Sequence, residues 1–123
     1  MTRSKPRNLL KEEVDALERF LRLEISLNDL RKRLKDALEF DFQCKQPWLQ
    51  EHFITPEPGI SVETWHIENA LEQKRLGRIS ERDLAEWASM ILMCLAFDIE
   101  ENGDHDLIAD WLHDLSFNLE GTG

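Results

Sequence analysis

Two carboxylate–histidine pairs stand three residues apart, Glu63/His66 and Asp110/His113. On a helix this spacing puts both side chains on one face. Carboxylate-bridged dimetal bundles use Glu-x-x-His pairs together with a Glu from each of two other helices. Here one pair carries Asp. At about 100° per residue, Asp110 and His113 also point away from the apolar stripe of Leu107, Ile108, Trp111, Leu112 and Leu115. A dimetal core needs them inside, so no metal is expected. The acidic stretch Asp98–Asp106 is the second candidate. Asp98, Glu100, Asn102, Gly103, Asp104 and Asp106 fall at the first, third, fifth, sixth, seventh and ninth positions of a calcium loop between two helices. Ala109 stands where the bidentate Glu belongs, and His105 where an apolar residue packs. An acidic loop leading into a helix, with Asp104 or Asp106 at the positive end of the helix dipole, is the better reading.

Other chemistry has less support. There is no Gly-x-Ser-x-Gly and no Gly-rich phosphate loop, and the chain has no tyrosine. Cys44 and Cys94 form no Cys-x-x-Cys pair and read as two buried free thiols. No catalytic, cofactor-binding or metal-binding residue is assigned. Arg75, Arg78 and Arg82 flank a helix–turn–helix, but the helix after them offers Glu86, Trp87, Met90 and Met93 where a DNA reader needs Arg, Asn or Gln. The basic cluster Arg31, Lys32, Arg33 and Lys35 reads as a solvated helix face.

The charge is uneven. The net charge is −10, yet residues 1–54 hold eleven Lys/Arg against ten Asp/Glu, while residues 55–123 hold four against fifteen. Phosphates call for a basic face, so this balance disfavours nucleic acid. It suits a basic protein partner or solubility. The candidate partner-binding residues are Glu100, Glu101, Asp104, Asp106, Asp110 and Asp114. No signal peptide is visible, and the longest nearly apolar run, Ala88 to Phe97, is too short for a bilayer. A cytoplasmic protein with no membrane contact is the expectation.

The elements that position these groups come from a duplication. Ile25-Ser26-Leu27-Asn28-Asp29-Leu30 recurs as Ile79-Ser80-Glu81-Arg82-Asp83-Leu84, and Ala16-Leu17-Glu18 as Ala70-Leu71-Glu72. Residues 16–30 and 70–84 share seven identities in fifteen. Each Ser is a helix N-cap, with an Asp three residues on placed to reach back. Gly77 suits a left-handed residue closing the helix before the second cap. The first copy has Leu23 there, so a different ending is expected.

The chain therefore reads as an all-α single domain, a bundle of five to six helices built from two helix–turn–helix units. Repeat unit 8–39 has a helix capped by Asn8 running to about Leu23, then one with Leu27, Leu30, Leu34 and Leu38 on one side. An aromatic connector and linker, 40–60, carries a short helix from Pro47 to His52. Repeat unit 61–97 begins with a helix capped by Ser61 or Thr64, whose apolar face is Ile67, Ala70 and Leu71. It continues into the central helix of residues 81–96, with the stripe Leu84, Trp87, Ala88, Ile91, Leu92 and Leu95. A carboxyl-terminal helix, 105–118, ends in a free tail. Residues 1–7 are expected to be frayed.

The run Gly77-x-Ile79-Ser80-Glu81, Asp83-Leu84, Glu86-Trp87-Ala88, followed by Asp98 and the acidic helix from Leu107, resembles a group of short, acidic bacterial proteins without assigned activity. They carry an Ile-Ser-x-x-x-Leu-x-x-Trp-Ala core. The resemblance covers residues 60–117 and implies a bacterial cytoplasmic origin and an all-helical fold. It transfers no catalytic residue. In character alone, the chain is similar to bacteriocin immunity proteins, small acidic bundles that bind basic toxin domains. The functional expectation is a non-enzymatic protein-binding module, immunity- or antitoxin-like. The alternative is a small enzyme or metal-binding protein with a site between the two hairpins. Three or more inward polar side chains converging on one cavity would favour that alternative.

Overall fold

The computed structural model describes residues 6–34, 36–42, 45–57, 59–99 and 105–121. The elements run β1 (Arg7–Asn8), α1 (Lys11–Leu21), α2 (Leu27–Arg33), β2 (Leu38–Asp41), β3 (Trp48–Glu51), β4 (Phe53–Ile54), β5 (Ile60–Ser61), α3 (Thr64–Arg75), α4 (Glu81–Met93), β6 (Phe97–Asp98) and α5 (His105–Gly121). The architecture is mixed α and β, which corrects the all-α bundle. Among the described residues, six strands pair into three two-stranded sheets: β1 with β4, β2 with β3, and β5 with β6.

The connector is where the helical expectation fails most. Residues 48–51 form a strand, not a helix, and pair antiparallel with β2, Leu38 opposite Glu51 and Asp41 opposite Trp48. Leu38, Phe40 and Phe42 are buried while Glu39 is exposed, the alternation of a strand with one covered face. Leu38 is thus a strand residue, and α2 ends at Arg33.

The duplication is visible in the backbone. Each unit begins with a short strand, continues as a helical hairpin, and closes with a strand parallel to the first. Arg7 pairs with Phe53 in one unit and Ile60 with Phe97 in the other. The β2–β3 hairpin lies between α2 and the closing strand of the first unit, so that unit extends past residue 39. The two inner turns also match. Leu23 has φ 61° and Gly77 φ 77°. Glu24 N–H donates to Arg19 O at 2.8 Å and Arg78 N–H to Gln73 O at 3.0 Å, the six-residue closure of a Schellman turn. The first helix therefore ends as the second does, with a leucine held in the left-handed region. Ser26 Oγ accepts from Asp29 N–H at 3.1 Å, and Ser80 Oγ from Asp83 N–H at 2.9 Å. Asp83 Oδ2 in turn accepts from Ser80 N–H at 2.9 Å.

The starts of α1 and α3 also correspond, and here the chemistry has diverged. Neither Asn8 nor Ser61 or Thr64 is the cap; the N-caps are Leu10 and Glu63. In α1 the Glu13 carboxylate accepts from Leu10 N–H at 2.8 Å and holds Arg7 at 2.7 and 2.8 Å. In α3 His66 takes the same third position, its Nδ1 accepting from Glu63 N–H at 2.9 Å.

One core joins the units. Leu17, Phe20 and Leu21 of α1 share it with Leu84, Trp87 and Ile91 of α4, and α5 adds Ile108 and Leu112. Trp87 Nε1 donates to Leu21 O at 3.2 Å inside it. Leu71 and Leu95, expected on apolar stripes, are exposed: Leu95 lies beyond the end of α4, and Leu71 sits on the outer side of α3. The last helix reaches Gly121, past the boundary at 118. No helix among the described residues is long and apolar enough to cross a membrane.

Candidate functional site

Of the six candidate partner-binding residues, Asp110 and Asp114 are exposed on α5, while Ile108 and Leu112 on the same helix are buried. The helix thus turns an acidic face outward, as its stripe predicts. Asp106 belongs to α5 by its backbone. Glu100, Glu101 and Asp104 lie outside the described residues, as do Cys44, the first five residues of the amino terminus and the last two of the tail.

The calcium-loop reading loses its first position. Asp98 is in β6, paired with Ser61, and its carbonyl accepts from Val62 N–H at 3.0 Å. The Glu63/His66 pair is a helix cap. The Glu63 carboxylate accepts from Trp65 Nε1 at 2.8 Å, and the Trp65 and His66 rings stack with centroids 3.8 Å apart. Because Nδ1 accepts a hydrogen bond, the neutral ring carries its proton on Nε2. Burial lowers the His66 pKa below the ordinary value against the opposing pull of the Glu63 carboxylate, and the Arg22 cation adds to the lowering. His113 is exposed on α5. Among the described residues, no three His, Cys, Asp or Glu side chains gather as a metal site. Cys94 is buried and free, and burial pushes its thiol far above the ordinary range, so it is a poor nucleophile.

Two cavities lie where the repeat units meet. One, of about 390 Å³, opens between α1 and the start of α3; Glu18 and Arg22 face Ser61, Glu63, Trp65 and His66 across it. The other, of about 280 Å³, lies between the two inner turns. Glu24, Ile25 and Leu27 form one wall; Arg78, Ile79 and Asp83 form the other, with Phe20, Glu86 and Trp87 inward. Glu86 is only 6% exposed, and its carboxylate lies 3.8 Å from Arg82 Nε. Arg82 is itself held by Phe42 O at 2.8 Å. The sequence brought up Glu86 only as a residue unsuited to a DNA-reading helix. The nearest signal was its position one residue before the buried Trp87, on a helix apolar on several sides. Comparison with protein families, with curated proteins and with solved structures gives no match.

Proposed function

We propose that the chain is a non-enzymatic protein-binding module that takes a basic partner through its acidic carboxyl-terminal half, immunity- or antitoxin-like in charge though not in fold. The observation that carries this reading is the outward face of α5. Asp110 and Asp114 stand one helical turn apart, exposed, with the buried Ile108 and Leu112 on the other side. Like charges so placed cost a few tenths of a kcal/mol in an isolated helix. A basic partner would reverse that cost. The test is charge reversal. Asp110→Lys with Asp114→Lys should slow association with a partner captured from the source cell and flatten its salt dependence, while leaving the melting temperature unchanged. Equal binding after reversal, or binding without salt dependence, would leave the acidic face as a solubility feature.

A second reading has its own observation. Four ionisable side chains, Glu18, Arg22, Glu63 and His66, line the 390 Å³ cavity between the two hairpins. Such a convergence supports a small-molecule site there. Arg22→Ala distinguishes the two: it should abolish ligand-induced stabilisation under this reading and leave partner binding intact under the first.

A further inference from the structure

The larger cavity, between α1 and the start of α3, is built from two matched couples. On the α1 wall Glu18 stands one helical turn before Arg22; on the α3 wall Glu63 stands three residues before His66. Each wall therefore offers a carboxylate, which accepts, beside an N–H donor. Both donors have hydrogens to spare. Arg22 donates from Nε to Glu24 at 2.7 Å, and its terminal nitrogens make no hydrogen bond among the described residues. His66 is 5% exposed, and its Nδ1 accepts from Glu63 N–H. The Nε2–H, on the other side of the ring, has no partner among the described residues and is left to the cavity that the ring lines. A buried donor without a partner costs stability, and an acceptor on a ligand removes that cost. An aromatic ring completes the rim. Trp65 is 47% exposed and is held in place, with Nε1 donating to Glu63 at 2.8 Å and the ring lying against His66, centroids 3.8 Å apart.

We propose that this cavity binds a neutral sugar, one ring in size, with its C–H face against Trp65 and its hydroxyls bridging the Glu18/Arg22 and Glu63/His66 couples. Charge alone does not select the ligand. Arg22 is balanced by Glu24, which leaves Glu18 and Glu63 to repel an anion, while the Arg22 and His66 donors would be left facing a cation. Hydrogen-bond type does select it. A hydroxyl both donates and accepts, so two adjacent hydroxyls satisfy a carboxylate and its neighbouring N–H at once. A sugar carries such pairs on both sides of its ring and so serves both walls. A flat base such as cytosine carries its donor and acceptors along one edge and serves one wall. The exposed indole fits the same class, because a sugar ring has an apolar C–H face to bury on it. About 390 Å³ is the space of roughly thirteen waters and lies in the range of cavities that enclose small molecules. The inference rests on the reading of this cavity as a small-molecule site and names the ligand class.

The test uses the full chain and titrates it at millimolar concentrations with glucose, galactose, mannose and ribose, with glucuronate as a charged counterpart and cytosine as a flat one. The indole N–H resonance of Trp65 is followed, since that ring lines the cavity. At least one of the four sugars should shift it saturably, while the indole resonance of Trp48 stays in place. Glucuronate should bind more weakly than the tightest of the four, and cytosine should give no saturable shift. Glu18→Ala should weaken sugar binding about tenfold or more, the loss of hydrogen bonds to a charged group. Two changes at His66 separate the donor from the cap. His66→Gln keeps an acceptor for Glu63 N–H and an N–H donor, and should retain binding. His66→Glu keeps the acceptor, as Glu13 does in the first unit, but removes the donor, and should abolish binding. Asp110→Asn should leave binding unchanged. The proposal is overturned if none of the four sugars gives a saturable shift, if cytosine or glucuronate binds more tightly than all of them, or if Glu18→Ala leaves the affinity within about twofold of wild type. Should the His66 variants fail to fold, the probes and Glu18→Ala decide alone. A saturable shift of Trp65 by cytosine alone loses the sugar and keeps the small-molecule site.

Discussion

Replacing His66 by Gln separates two tasks that one ring performs. His66 is 5% exposed, and its Nδ1 accepts the N–H of Glu63 at the start of α3. Burial holds its folded pKa below the ordinary histidine value of 6.5. On acidification the unfolded chain therefore takes up this proton first. The stability contribution is fully present above the unfolded value and is lost as pH falls toward the folded one. Structure supplies the size. A proton on Nδ1 removes the acceptor for Glu63 N–H, a cap bond of about 0.5–2 kcal/mol, and leaves a buried cation between the Glu63 carboxylate, which favours it, and Arg22, which does not. The free energy of unfolding should fall by about 1–2 kcal/mol between about pH 7.5 and pH 5 through this group. Gln can accept the same N–H, as it does in a capping box, and carries no proton in this range. Urea denaturation of the wild type and of His66→Gln at several pH values in that window measures the difference. The variant should be close to wild type at the neutral end and more stable than it at the acid end, so that its stability varies less with pH. Parallel losses in the two proteins would refute the assignment of the cap to Nδ1.

Further outcomes follow from single contacts. Ser26→Ala and Ser80→Ala should each cost about 0.5–2 kcal/mol in denaturation, Ser80 more because Asp83 closes the reciprocal bond. Trp87→Ala should cost about 3–5 kcal/mol, and Trp111→Ala clearly less, since only Trp87 is fully buried. Gly59→Ala and Gly77→Ala should both destabilise by about 1–3 kcal/mol in thermal melts, for different reasons. A Cβ at 59 would lie 2.9 Å from Asp98 Cβ and 3.2 Å from Ala96 O, whereas one at 77 would meet open space and suffer only the φ of 77°.

The caps of the two inner turns were legible because they depend on near neighbours, whereas the caps expected at Asn8 and at Ser61 or Thr64 fall on Leu10 and Glu63. Ser26, Ser80 and their aspartates act within four residues, and the stripe Leu84, Trp87, Ala88 and Ile91 is buried as its period requires. Strands were not legible. β1, β4, β5 and β6 have two residues each, too few for alternation to register, and their partners stand far away in sequence. At Leu38 two periods coincide. It continues Leu30 and Leu34 at steps of four, and begins Leu38, Phe40 and Phe42 at steps of two. Only the pairing with Glu51 across the hairpin decides between them. Leu23 misled for a related reason. Glycine is favoured at positive φ, but Leu23 packs against the core, and that contact helps to offset the left-handed strain of about 1–2 kcal/mol. The cavities were invisible because each needs residues from both copies.

Where the copies agree, the shared residues build the same turn; some of the positions where they differ in charge lie at the cavities. Ile25 and Ile79 correspond, as do Ser26 and Ser80, and both pairs build the same turn. Glu24 corresponds to Arg78, with opposite charge, across the 280 Å³ cavity. Lys32 corresponds to Glu86: the lysine is exposed on α2, while the glutamate is buried at the cavity. Glu13 and His66 occupy one cap position, yet only His66 borders the 390 Å³ cavity, and Arg7, the partner of Glu13, has Ile60 in its place in the second unit. Two like turns meeting with like residues would enclose a space with matching ends. The exchange at 24/78 instead sets a carboxylate on one wall against a guanidinium on the other, and the exchange at 32/86 adds a buried carboxylate that pairs with Arg82. Both copies close the turn with the same backbone bonds, so neither exchange is needed to build it.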